Sequence, residues 1–236
     1  MSKATIESLK RDAGVAAAAE VKSGMRVGLG TGSTVRYTIE NIGERIRSGA
    51  LQDIVGVPTS IASDKLAREC GIPLSNLDET PRLHLTIDGA DEVDPKLDLI
   101  KGLGAALLRE KIVAAASDRL IIVADDGKLV EKLGTKAPLP VAVLPFGWTA
   151  QMDFLRELGA EPERRLVKDE SVLVTDDGLF LLDSRFANGI DDAPAIERAL
   201  ALRPGIVECG LFLGMADAAY IAAPTGVEVL RRPESG

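Results

Sequence analysis

The sequence predicts an α/β fold: a domain built on a parallel sheet, with a smaller α+β unit inserted toward its C-terminal half. Two patterns point there. Short apolar strands alternate with helices of roughly 10 to 15 residues as far as about Leu133, the signature of parallel crossovers. The alternation then breaks, and Pro138, Pro140 and Pro145 bracket a strand-like run, Val141 to Leu144.

In chain order, residues 4 to 22 read as an Ala-rich helix that Ser23-Gly24 ends. A strand over Met25 to Leu29 leads into the loop Gly30-Thr31-Gly32-Ser33-Thr34, and a helix runs from Val35 to about Arg47. Ile54 to Val57 is expected as a strand and Ile61 to Glu69 as a helix. Leu83 to Ile87 is a third strand, closing on the acidic turn Asp88-Gly89-Ala90-Asp91-Glu92. Gly104 to Ala116 reads as a helix and Leu120 to Ala124 as a compact apolar strand. Beyond the break come a helix over Trp148 to Leu158, short strands at Val172-Leu173 and Leu179 to Leu182, a helix over Ala193 to Leu202 and a strand starting near Val207. Ala219 to Ala222 and Val227 to Leu230 flank the turn Pro224-Thr225-Gly226 and are expected to rejoin the first sheet.

Composition narrows the functions. Hydrophobic residues are 46% and charged residues 27% of 236, the profile of a globular chain, which argues against disorder, collagen and coiled coil. Acidic residues number 36 against 28 basic, a net charge of −8, so nonspecific attraction to nucleic acid is not expected. Aromatics at 3% are too sparse for a platform that stacks single strands. Cys70 and Cys209 form no CxxC and read as reduced thiols of a cytoplasmic chain. His84 is the sole histidine, so a zinc site of the usual kind or a histidine triad would depend on it alone. Its alternation with Leu83, Leu85 and Ile87 favours a place on the sheet surface. No apolar h-region opens the chain and no run approaches the ~18 apolar residues of a membrane span, so neither a signal peptide nor a membrane is expected.

Three segments can carry chemistry. Gly28-Leu29-Gly30-Thr31-Gly32-Ser33-Thr34 lies between a strand and a helix, where glycines admit close backbone approach and amides meet an anion. It is neither a dinucleotide fingerprint nor a Walker A loop, and it reads as a phosphate cradle or as a plain capped turn. Asp88, Asp91 and Glu92, with Asp94 beyond, follow a strand end and suit magnesium binding, proton transfer or a solvated turn. Lys101-Gly102-Leu103-Gly104-Ala105 leads into a helix carrying Arg109-Glu110-Lys111. Ala106, Leu107, Val113 and Ala114 flank Glu110 on that helix, so its carboxylate either reaches solvent or sits partly dry, as a general base requires. Its Cβ leans back toward the Lys101 loop. Lys128, after Asp125-Asp126-Gly127, and Lys10, on the first helix, read as ordinary solvated lysines from their surroundings alone.

Together these segments resemble ribose-5-phosphate isomerase of the A type. The matching pieces are Gly30 to Thr34, Asp88 to Glu92, Lys101 to Ala106, Arg109-Glu110-Lys111, Ile122 to Asp125, Pro138 to Val141 and Gly210-Leu211-Phe212 with Ala216-Asp217. They run in order from Lys10 to about Val229. The resemblance implies a Rossmann-like domain over 1–133 and 208–236 and a smaller ferredoxin-like α+β domain over 134–207. It implies interconversion of ribose 5-phosphate and ribulose 5-phosphate in the non-oxidative pentose phosphate pathway, without metal or organic cofactor. It also implies Glu110 as proton acceptor, and a pocket lined by Thr31, Gly32, Ser33, Thr34, Asp88, Gly89, Ala90, Asp91, Lys101, Gly102, Leu103 and Gly104, with Lys128 and Lys10 as further substrate contacts. Leu103 departs from the family, in which glycine is frequent at that place; only an intruding side chain would matter. Family members are commonly homodimers or homotetramers.

Two other classes share features with the chain. A sugar-phosphate-sensing regulator would need a DNA-binding module, and about 25 residues ahead of the first strand are too few for one. A lactonase or amino-sugar deaminase would call on a histidine, and His84 is poorly placed.

Overall fold

A computed structural model describes residues 3–232. In chain order the elements are α1 (Lys3–Ala18), β1 (Arg26–Leu29), α2 (Val35–Arg47), β2 (Val55–Pro58), α3 (Ile61–Glu69), β3 (Leu85–Gly89), β4 (Glu92–Val93), β5 (Leu99–Ile100), α4 (Leu107–Ala115) and β6 (Leu120–Asp125). After a 3-10 turn at Asp126–Lys128 come β7 (Leu139–Val143), α5 (Trp148–Glu157), β8 (Ala160–Arg164), β9 (Phe180–Phe186), α6 (Ala193–Ala201), β10 (Ile206–Cys209), β11 (Leu211–Phe212), β12 (Ala218–Ala223) and β13 (Gly226–Arg231). The described residues divide into two compact units, one drawn from 1–90, 109–129 and 215–236, the other from 91–108 and 130–214.

The first unit holds a six-stranded sheet ordered β13-β12-β6-β3-β1-β2, parallel except at the β12–β13 hairpin, so the tail does rejoin the first sheet. Leu120, Ile121, Ile122, Val123 and Ala124 are all buried, as a strand covered on both faces must be. In α2, Val35, Ile39 and Ile42 recur at helical spacing and are buried against the sheet with Val27, Leu29 and Ile87. The chain leaves β1 for β2 on one side and returns as β3 on the other. The strand order therefore reverses between β1 and β3, the place where open α/β sheets leave a crevice for ligands.

In the second unit β7-α5-β8-β9-α6-β10 forms an antiparallel sheet ordered β10-β7-β9-β8, the ferredoxin-like arrangement. Asp192 caps α6 by accepting from the Ala195 amide. Val141, Val143, Leu155, Leu182 and Leu200 are fully buried in its core. A three-stranded sheet, β11-β5-β4, belongs to the same unit.

Several boundaries differ from the sequence expectation. The helix expected over 4–22 stops at Ala18, and the one expected from Gly104 starts at Leu107 because Ala105 takes φ +63. Asp88 and Gly89 are strand residues rather than a turn, paired with Ile122 and Val123 of β6. The expected strand at Val172-Leu173 is an isolated bridge from Leu166 to Val172. β8 carries Glu161, Pro162 and Glu163, and such residues suit a sheet edge while hiding a strand from periodicity. The second unit takes in 91–108, 130–133 and 208–214, outside the expected 134–207, and the two-residue strands β4, β5 and β11 in these stretches have no period to read. Residues 1, 2 and 233–236 of the expected first domain lie outside the described residues.

Candidate active site

The loop after β1 is fitted to Asp88. A Cβ on Gly30 would lie 2.3 Å from Asp88 Oδ1 and 2.6 Å from its Cα, so only glycine lets the two strand ends approach. The Thr31 amide donates to Asp88 Oδ1 at 3.0 Å and the Gly89 amide to the same oxygen at 2.7 Å. Asp88 is thus a buried carboxylate whose charge is met by backbone dipoles at the end of β3. Gly32 follows with φ +129, and Ser33 and Thr34 lead into α2. Thr34 makes no side-chain capping bond, while the Arg36 and Tyr37 amides turn back to the carbonyls of Gly32 and Thr34. The loop hydroxyls and amides thus sit at the positive end of α2, where an anion is favoured.

The Thr31 hydroxyl turns inward. It meets the hydroxyls of Thr59 at 2.8 Å, Ser60 at 2.7 Å and Ser63 at 3.1 Å, and Ser63 Oγ donates to the Gly30 carbonyl at 2.6 Å. Ser60 also caps α3 by accepting from the Ser63 amide. This buried hydroxyl cluster braces the loop from below, and nothing in the local sequence pattern marked it.

Lys10 pairs with Glu7 at 3.2 Å, and Glu7 also accepts from the Tyr37 hydroxyl at 2.7 Å. That hydrogen bond, then the one from Lys10, holds the Glu7 carboxyl below its usual range. Lys128 ends the 3-10 turn after β6, whose Asp125 side chain accepts from the Gly127 amide. His84 Nδ1 accepts from the Arg26 amide at 3.0 Å, a structural role between β1 and β3. Cys70 and Cys209 are buried free thiols.

Glu110 lies on α4 with 3% of its surface exposed, and Ala106, Leu107, Val113 and Ala114 around it are buried too. A carboxylate kept this far from water is the environment a base needs to take a proton from carbon.

In the second unit Lys101 is buried, with Nζ 5.4 Å from the Phe212 ring centre. Its amide donates to the Gly210 carbonyl at 2.9 Å, and a Cβ on Gly210 would lie 2.2 Å from the Lys101 oxygen. Asp91 Oδ2 accepts from the Leu103 amide at 2.9 Å. Leu103 itself is 43% exposed, so the loop uses its backbone while its side chain looks outward. Of the acidic run, Glu92 is fully buried and accepts amides from Gly134, Lys136 and Ala137, each at 2.6 Å, which makes it a structural anchor. Asp94 accepts from the Lys96 and Asp98 amides, and burial pushes its carboxyl up.

Arg165, just past β8, was absent from the sequence expectation. Its guanidinium donates to the Gly102 carbonyl at 2.8 Å and the Leu103 carbonyl at 3.2 Å, and it forms a bidentate pair with Asp183 of β9. The antiparallel pairing of β8 with β9 brings Arg165 to Asp183, and the loop carbonyls come from a segment more than 60 residues away, so no local motif could reveal the set.

Fold and side chains define a class: an α/β protein with a glycine-hydroxyl loop at its switch point and a buried carboxylate on α4. Comparison with known proteins makes it particular. Residues 55–226 match the model of the family "Ribose 5-phosphate isomerase A (phosphoriboisomerase A)". A Deinococcus radiodurans protein named ribose-5-phosphate isomerase A is 48% identical, with 96% of this chain and 99% of that protein covered. One of the same name from Rhodopseudomonas palustris is 50% identical over 96% of this chain and 98% of its own length. A solved D-ribose-5-phosphate isomerase in complex with phospho-erythronic acid superposes with TM-score 0.93 at 40% identity, covering 96% of this chain and 99% of that one. The Methanocaldococcus jannaschii enzyme structure gives 0.90 at 38% identity, covering 95% and 99%. The chain belongs to the ribose 5-phosphate isomerase A family, and is an aldose–ketose isomerase of sugar phosphates.

Proposed function

We propose that Glu110 moves the proton in this isomerisation. Open-chain ribose 5-phosphate presents an aldehyde at C1 and an acidic hydrogen on C2. The Glu110 carboxylate takes the C2 proton, the C1 carbonyl oxygen gains the negative charge, and an enediolate forms. The same carboxyl returns the proton to C1 while the O2 proton passes to O1, leaving the C2 ketone of ribulose 5-phosphate. Burial of Glu110 is the observation that carries this reading. General-base catalysis supplies about 10²–10⁴-fold and an oxyanion donor about 10²–10³-fold, so both are needed.

The buried Lys101 ammonium and the amides of the Gly102–Gly104 loop steady the enediolate oxygen. The Gly32–Ser33–Thr34 backbone and hydroxyls take the phosphate, with Lys10 adding a cation. Thr31 serves that loop chiefly from within, through Asp88 and the hydroxyl cluster. Asp88 and Asp91 bind the sugar hydroxyls and open the furanose ring, Gly89 and Ala90 contribute their backbone where β3 ends, and Lys128 gives a further substrate contact. The reaction needs no metal or organic cofactor, and the physiological setting is the non-oxidative pentose phosphate pathway in the cytoplasm. Two buried reduced thiols support that compartment. The proposed assembly is a homodimer or homotetramer, as is common in the family.

The isomerase assay in deuterated water tests the proposal. Solvent label is expected at C1 of the ketose, with turnover unchanged by a chelator. Turnover undiminished in Glu110→Gln, or lost with the metal, would refute it.

A further inference from the structure

We infer that Arg165 is a positioning residue for this reaction: by gripping the Gly102 and Leu103 carbonyls it aims the Gly104 amide as an oxyanion donor. The inference rests on the proposed role of the Lys101 loop, and it follows from peptide geometry. In a planar trans peptide the C=O and the N–H of the next residue point in opposite directions. Arg165 Nη1 holds the Gly102 oxygen at 2.8 Å, and on the far side of that peptide the Leu103 N–H reaches Asp91 Oδ2 at 2.9 Å. The same Nη1 holds the Leu103 oxygen at 3.2 Å, which turns the Gly104 N–H away from Arg165.

The conformation so held is a costly one. Gly102 sits at φ +107 and Ala105 at φ +63, and a non-glycine residue there costs of order 1–3 kcal/mol unless its surroundings impose it. The Ala105 amide closes the turn on the Gly102 carbonyl at 3.0 Å, so that oxygen receives both Arg165 and Ala105. Asp183 fixes the guanidinium, and the pair is largely buried, with side chains 11% and 23% exposed. A planar fork can pair bidentately with Asp183 and still reach two carbonyls, four hydrogen bonds that the three N–H groups of an ammonium cannot supply. The neighbouring Arg164 has a different role: its guanidinium stacks over Trp148 at 4.2 Å and over Phe180 at 5.7 Å.

The test compares wild type, Arg165→Met, Arg165→Lys and Arg164→Met by steady-state isomerisation, thermal unfolding and inhibition by phospho-erythronic acid. That compound's planar carboxylate reproduces the two-oxygen anion of the enediolate, so its affinity reports the oxyanion donors. Deleting one donor costs about 10²–10³-fold, and releasing its aim is expected to cost kcat on the order of 10–100-fold. Inhibition should weaken by a similar factor while KM for ribose 5-phosphate changes by less than about threefold. Arg165→Lys, which keeps a cation for Asp183, should recover the unfolding temperature but not kcat, and Arg164→Met should turn over like wild type. A folded Arg165→Lys with wild-type kcat and inhibition would overturn the inference, as would a loss confined to KM. A wild-type chain that is active with Lys101→Ala no worse than Arg164→Met would instead overturn the loop's role, and this inference with it.

Discussion

Replacing Gly30 by alanine tests whether the Gly30–Thr34 loop and Asp88 act as one fitted unit. The new methyl would lie 2.3 Å from Asp88 Oδ1, 2.4 Å from Cγ and 2.6 Å from Cα, all inside van der Waals contact. Because one of these atoms is backbone, a side-chain rotation cannot relieve the clash; β3 or the loop must move. Overpacking of this kind costs about 1–3 kcal/mol. The same shift parts the Thr31 amide from Asp88 Oδ1, a charge-assisted hydrogen bond of about 1.5–3 kcal/mol. Together the loss is about 2.5–6 kcal/mol, which at about 2–4 °C per kcal/mol lowers the unfolding temperature by roughly 5–24 °C. Gly32→Ala provides the contrast: no atom lies within 4 Å of its Cβ, and only the φ of +129 opposes it, a cost of about 1–3 kcal/mol. Thermal unfolding monitored by circular dichroism, with turnover of ribose 5-phosphate on the same samples, reads both effects. A Gly30→Ala protein within about 1 kcal/mol of wild type and fully active would refute the claim that close approach to Asp88 shapes the loop.

Other outcomes follow from the same geometry. Glu110→Gln should spare KM and cut kcat by at least ~10²-fold in steady-state assays, and near-normal turnover would remove it from the base role. Glu92→Gln sets an NH₂ among amides that need an acceptor and should cost about 3–5 kcal/mol in urea unfolding, with no carboxylate lost from the proposed chemistry. The hydrogen bond from Tyr220, followed by the charge of Arg119, holds Glu20 below the usual carboxyl range. Its stabilisation is therefore present above the unfolded pKa and lost as pH falls through the folded value. Tyr220→Phe should accordingly show a smaller drop in unfolding temperature than wild type between neutral and acidic pH.

Much of this molecule was legible from local chemistry. β-branched runs such as Ile121-Ile122-Val123 have few alternatives to a buried strand, and the apolar spacing of Val35, Ile39 and Ile42 imposes a helix with one covered face. The glycine-hydroxyl loop was visible for the same reason, since close approach and φ +129 require glycine wherever they occur. The apolar helical neighbours of Glu110 left both a solvated and a dry carboxylate open, and the structure buries it. Less legible were elements whose stabilisation is supplied from afar. β8, with its Glu-Pro-Glu core, is a strand because β9 offers it an edge, and β4, β5 and β11 are two-residue strands with no period of their own.

What the sequence determined by itself was each element whose periodicity and turn residues agree, and the chemical types brought to the strand ends. Only tertiary structure decided which polar groups carry a structural burden: Glu92 on three amides, Thr31 inside a hydroxyl cluster, and Arg165 on two carbonyls of the Lys101 loop. A hydrogen bond depends on a few tenths of an ångström between partners that the chain order keeps far apart, whereas helix and strand patterns are written in near neighbours.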